Sequence, residues 1–169
     1  TNSTQTITLT ENLDVASMLE NMQIVSTVPI WSFDHSVNGS ELIGDAFVNE
    51  TGIILDGGFV KSNTTNTNST SIAITAWIKP DYTSGSSVFT IVSKEGQFKL
   101  VLNNVLDPQR IASFSIFDGI RWHSIAGNDK IGNGWSHIGA SFNGSDISVF
   151  TNGTLSKSSK IKSLNTTTG

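Results

Sequence analysis

Cleavage of a glycosidic bond needs two carboxyl groups about 5 to 9.5 Å apart on opposite sides of that bond. Alternate residues of one strand share a face and can supply such a pair. The five glutamates are Glu11, Glu20, Glu41, Glu50 and Glu95, and none has an aspartate two residues on. The histidines His35, His123 and His137 never form a ligand-spaced pair such as His-x-x-x-His, so a zinc site is not expected. The same scarcity disfavours a Ser-His-Asp triad. With no cysteine, thiolate nucleophiles, zinc–thiolate sites and dithiol redox chemistry are excluded. These residue types favour binding over bond-making.

Two binding chemistries have residues to carry them. Calcium takes six to eight oxygens from carboxylates, amides and carbonyls. Asp34, Ser36 and Asn38 offer oxygens at alternate positions before Gly39, so they are the expected calcium ligands, with Asp34 foremost. Against this, Asp and Asn are common turn formers and Asn38 is also a glycosylation acceptor. Asp56 and Asp146 are weaker calcium candidates and read as turn residues. The second chemistry is stacking of sugar rings on Trp31, Trp77, Trp122 or Trp135, with Tyr82 and Phe117. In Asp118-Gly-Ile-Arg-Trp-His123, Trp122 stands between Arg121 and His123, an aromatic platform flanked by donors that suits a pyranose or an anionic sugar. The bland alternative is that Trp122 packs across the fold and Arg121 is merely solvated.

Asn-x-Ser/Thr, the N-glycosylation acceptor, occurs at Asn2, Asn38, Asn49, Asn63, Asn68, Asn143, Asn152 and Asn165. Most of these lie in expected turns or polar loops, where a bulky glycan can be carried. Charged residues make up only 14% of the chain, so its polar surface must come largely from Ser, Thr and Asn, and sugars would add solubility. An extracellular or cell-surface setting is therefore expected, although a turn vocabulary rich in Ser, Thr and Asn would produce many such triplets anyway. The net charge of -4 gives no footprint for nucleic acid. No apolar run approaches the length of a membrane span, so no membrane insertion is expected. The sequence opens on polar residues rather than a signal peptide, which suits a mature form or a fragment.

The elements that must hold these residues are strands. Residues 5–9 alternate, and Leu13, Ala16, Leu19 and Met22 form a short helical stripe, so 1–23 reads as a strand plus a helical segment, a linker or appendage. From 24 to 169 the pattern is strand after strand. Ile72, Ile74, Ala76 and Ile78 share one face, with Ala73, Thr75 and Trp77 on the other. Strands follow at 88–93, 98–102, 111–117 and 121–126. Ser136–Phe142 turns inward Ile138, Ala140 and Phe142; Asn143–Asp146 reverses the chain, and Asn152-Gly153 is a tight hairpin signal into 154–157. Residues 161–164 are a candidate closing strand. Ten consecutive residues, 62–71, are only Ser, Thr or Asn and read as an exposed loop. The fold class expected is all-β: a two-sheet antiparallel β-sandwich, a jelly roll of about 12–14 strands, with at most one short N-terminal helix.

Five segments in order then resemble the laminin-G-like, concanavalin A-like lectin/glucanase jelly-roll family. They are Trp31-Ser-Phe-Asp34, Ile54-Leu-Asp-Gly-Gly-Phe-Val60, Thr75-Ala-Trp-Ile-Lys-Pro-Asp81, Gly134-Trp-Ser-His-Ile-Gly-Ala140 and the hairpin from Phe142 to Gly153. The resemblance covers about residues 30–160. It implies a module of a larger cell-surface protein that binds surface glycans or other extracellular proteins. It implies core positions for Trp77 and Trp135, and a calcium near the first Asp-Gly loop in some members. Glucanases of this fold carry Glu-x-Asp-x-x-Glu on one strand, which this sequence lacks, so no enzyme is expected. The functional expectation is an extracellular non-catalytic carbohydrate-binding or adhesion module. The alternative is a structural or protein-interaction unit of a surface layer or filament.

Overall fold

The computed structural model describes residues 40–62, 71–83, 86–105 and 109–161. The expected strand and helical stripe of 1–23, the Trp31–Asp34 strand and most of the 62–71 loop lie outside them. The described residues hold twelve strands and no helix. They fall into two units, 40–62 and 71–161.

The first unit contains β1 (Ser40–Ile43), β2 (Ala46–Asn49), β3 (Gly52–Leu55) and β4 (Phe59–Ser62), paired antiparallel as β1 with β4 and β2 with β3. β3 and β4 flank Gly57-Gly58. β1 and β2 are strands that alternation did not announce, because four residues are too short to show a period. Gly58 is required by close approach: a Cβ there would lie 2.5 Å from both the Ala46 nitrogen and the Ile43 oxygen.

The second unit is a sandwich of two four-stranded antiparallel sheets. One has the order β12-β11-β10-β5 and the other β6-β7-β8-β9. The first is built from β5 (Ile72–Ile78), β10 (Ser136–Phe142), β11 (Asp146–Thr151) and β12 (Thr154–Lys160). The second is built from β6 (Val88–Lys94), β7 (Phe98–Asn103), β8 (Ile111–Phe117) and β9 (Trp122–Lys130). β5 pairs with β10, far along the chain, in a register that opposes Trp77 to His137 and Ile74 to Ala140. This is the two-sheet antiparallel sandwich that the alternation predicts.

Period-two alternation explains the core. Leu100, Leu102, Phe114, Ile116 and Ile125 from one sheet meet Ile138, Ala140, Ile147 and Val149 from the other. Phe114, Leu100, Ile138 and Val149 are fully buried. Burial of each such side chain contributes about 1.5–3 kcal/mol. Ile72, Ile74 and Ile78 of β5 pack against this cluster, as their spacing predicts. Tyr82, a stacking candidate, also packs here; its hydroxyl donates to the Ile131 carbonyl at 2.8 Å, and burial pushes its pKa up.

β9 runs to Lys130, beyond the expected end at 126, despite Gly127, Asn128 and Asp129. The reason is tertiary: the Asn128 backbone N–H donates to Ser156 Oγ and its side-chain amide to the Ser156 carbonyl, both at 2.8 Å. β11 and β12 are joined by Asn152-Gly153, with φ of +49° and +78°, the left-handed pair that a two-residue hairpin needs. β12 extends to Lys160, three residues past expectation. Ile161 follows it outside the strand, against the core. The remainder of the expected closing strand lies outside the described residues.

Candidate functional site

Trp122 opens β9 at the edge of its sheet, immediately after the turn that leaves β8. That turn is organised by Asp118. One carboxylate oxygen accepts the backbone N–H groups of Ile120 and Arg121, each at 2.8 Å. The other bonds Nε2 of His123 and lies 4.0 Å from Nε of Arg121. The Arg121 backbone N–H, and then the His123 hydrogen bond, pull the Asp118 pKa down from 3.8 to about 2. Asp118 is therefore an anion across the neutral range, and it fixes the His123 ring while the Arg121 side chain stays 63% exposed.

Trp122 itself is 42% exposed. Its inner edge is supported by Phe117, its cross-strand partner, with ring centroids 5.3 Å apart. Lys99 Nζ sits 5.3 Å from the indole centroid, a cation–π contact delivered from β7 across β8. Arg121, Trp122, His123, Ser124, Ser159 and Lys160 line a groove of about 390 Å³. It forms where the edge strand β9 meets β11 and β12 of the facing sheet. Lys160 stands opposite Asp146 in the strand pairing, and the Asp146 carboxyl is held below its usual range by Ser145 Oγ and the Asn143 amide. The structure thus brings Arg121, Trp122 and His123 together as expected, and adds Asp118, Lys99 and Lys160. A supported indole with cations and hydroxyls around it can stack a sugar ring and pair an acidic substituent.

Trp77 and Trp135 are not core residues, contrary to the expectation from the family motif. They are 66% and 52% exposed. In β5 the inward set is Ile72, Ile74, Ala76 and Ile78, so Trp77 must face out. Trp135 stands two residues before His137 and shares its face. His137 is the cross-strand partner of Trp77, with ring centroids 5.2 Å apart. The Asn152-Gly153 turn completes a second groove of about 550 Å³ with these three side chains. Sequence alternation carried the signal for this groove; the motif-based placement obscured it.

Asp34, Ser36 and Asn38, the expected calcium ligands, lie outside the described residues, as do Trp31 and His35. Among the described residues no three His, Asp or Glu side chains gather as a metal site. Asp146, expected in a turn, is instead the first residue of β11, where its carboxylate accepts Ser145 Oγ at 2.7 Å. Of the acceptor asparagines, Asn49, Asn143 and Asn152 are described; all three are exposed, each at a hairpin turn. Asn2, Asn38, Asn63, Asn68 and Asn165 lie outside.

Residues 56–169 match the family model of the concanavalin A-like lectin/glucanases superfamily, in its laminin-G-type form. No curated protein and no solved structure matches the chain.

Proposed function

The chain belongs to the concanavalin A-like lectin/glucanases superfamily, and from that premise we propose that it is an extracellular, non-catalytic carbohydrate-binding module whose Trp122 groove takes acidic glycans. The observation that carries this reading is the half-exposed Trp122 indole, supported by Phe117 and ringed by Lys99, Arg121 and Lys160. Stacking holds the apolar face of a pyranose, and the guanidinium and ammonium groups select a carboxylate or sulfate on it. The rigid His123, locked by Asp118, adds a ring nitrogen in fixed orientation. Non-catalysis is supported by the missing paired carboxylates of the sequence.

The extracellular setting is supported by the eight acceptor triplets and by the exposed turn positions of Asn49, Asn143 and Asn152. Among the described residues no helix is long and apolar enough to cross a membrane. Calcium held by Asp34, Ser36 and Asn38 is part of the same reading.

A glycan array of acidic and neutral sugars, run with calcium and with chelator, tests the proposal. Retention of sulfated or uronic-acid glycans that is lost in Arg121→Ala is the expected result. A blank array in both conditions overturns it. Retention lost on chelation assigns the metal a role in binding. A second reading, a structural or protein-interaction module, is favoured by Phe47, Leu55 and Phe59 in the 40–62 unit, each about half exposed. Concentration-dependent self-association with a blank array is its expected signature.

A further inference from the structure

The second groove holds apolar surface that an outer sheet face does not normally show. Its polar lining is unusual too. Asn152 Oδ1 accepts the His137 backbone N–H at 2.9 Å, and the Asn152 N–H donates back to the His137 carbonyl at 2.7 Å. The hairpin tip is thereby clamped to β10. Oδ1 is so engaged, while among the described residues no hydrogen bond is made by Asn152 Nδ2. Asn143 differs, since its Nδ2 is directed at the Asp146 carboxylate, 3.4 Å away. Asn152-Gly153-Thr154 is an intact acceptor triplet, and Asn152 is exposed while lining the same groove as Trp77 and Trp135. Among the described residues no Asp, Glu, Lys or Arg side chain lines it.

We infer that Asn152 is N-glycosylated and that the groove of Trp77, Trp135 and His137 seats the first sugars of that glycan. The donor is an oligosaccharide activated as a lipid-linked diphosphate. Asn152 Nδ2 forms the bond to the anomeric carbon, the bond from that carbon to the phosphate oxygen breaks, and the diphosphate leaves with the electron pair. The amide gives up one proton to the transferase. The occupant is chosen by tethering: a pyranose on Nδ2 starts at the rim of the groove, so no association entropy opposes its stacking. Its apolar face fits the indoles, and its hydroxyls meet the indole N–H groups and the His137 ring. A lining of two indoles, an imidazole and an amide suits a neutral core sugar, in contrast to the Lys and Arg of the Trp122 groove. This inference rests on the extracellular setting proposed above but not on the ligand of the Trp122 groove.

The test uses the chain secreted from a host that N-glycosylates. Site-resolved mass spectrometry should find Asn152 occupied. Oxidation of Trp77 and Trp135 by N-bromosuccinimide should be roughly three- to tenfold slower than in Thr154→Ala, the protection that a stacking contact of this class provides. Thr154→Ala removes the acceptor triplet but leaves Asn152 and its turn intact. Trimming the glycan to its first sugar should keep most of the protection, and amidase removal should abolish it. Asn152 bare while Asn49 or Asn143 is occupied overturns the inference and leaves the extracellular reading standing. All eight acceptor asparagines bare overturns both. An occupied Asn152 with indoles equally reactive before and after removal overturns the seat.

Discussion

The two aromatic grooves of the sandwich unit use the same residue types in opposite electrostatic settings. Each sets an exposed tryptophan beside a histidine: Trp122 with His123, and Trp77 with His137. Around Trp122 stand Lys99, Arg121, Lys160 and an ionised Asp118. Around Trp77 and Trp135, among the described residues, no carboxylate, ammonium or guanidinium group lines the groove, and an acceptor asparagine stands at its rim. An indole alone selects only a stacking partner. Its charged neighbours decide whether that partner must be anionic, and a tethering site decides whether it must diffuse in at all.

The largest expected effect erases the difference between the grooves. Phe114 is fully buried in the core shared by both sheets, so Phe114→Ala should cost about 3–5 kcal/mol and degrade both sites together. Denaturant unfolding and the reactivity of all the exposed indoles check this. A variant that loses one groove and keeps the other would show the two sheets to be independent.

A smaller effect should separate the grooves. Trp122→Ala is expected to weaken binding of a sulfated glycan by about tenfold or more, equivalent to ~1.4 kcal/mol, whereas Trp77→Ala should leave it unchanged. Raising the salt should weaken binding at the Trp122 groove but should not change the indole protection around Asn152, because only the first depends on partly exposed charges. Calorimetric titration at two ionic strengths measures both.

The smallest effect is a pH dependence confined to one groove. The folded pKa of Asp118, about 2, lies below its ordinary 3.8. The order it contributes is therefore fully present above about pH 4 and is lost as the pH falls through 2. Between these values Trp122 emission should change while the Trp77 groove stays constant, and Asp118→Asn should abolish the change. A sulfated ligand keeps its own charge in this window, so a fall in its binding there reports the protein. A loss centred at the ordinary value would mean that the Arg121 and His123 hydrogen bonds to Asp118 do not persist in solution.

Much of this was legible in the residues themselves. The alternation of β5, β8 and β10, the Asn152-Gly153 hairpin and the family motifs specify an all-β sandwich, because a strand's period of two assigns each side chain to a face from local order alone. That same period set Trp77 opposite the buried isoleucines. Arg121, Trp122 and His123 were adjacent in sequence and remained adjacent at the site. Strands β1 and β2 were too short for a period to be read.

What only the tertiary structure decided is which side chains distant in sequence share a groove. Lys99 reaches Trp122 because β7, β8 and β9 pair in one register, and Lys160 joins them because the facing sheet stacks there. Asp118 meets His123 because the turn folds back on its strand. Trp135 and Asn152 flank Trp77 because β10 pairs with both β5 and β11. Sheet register and sheet stacking are set by non-local pairing, and no local pattern in a single strand encodes them.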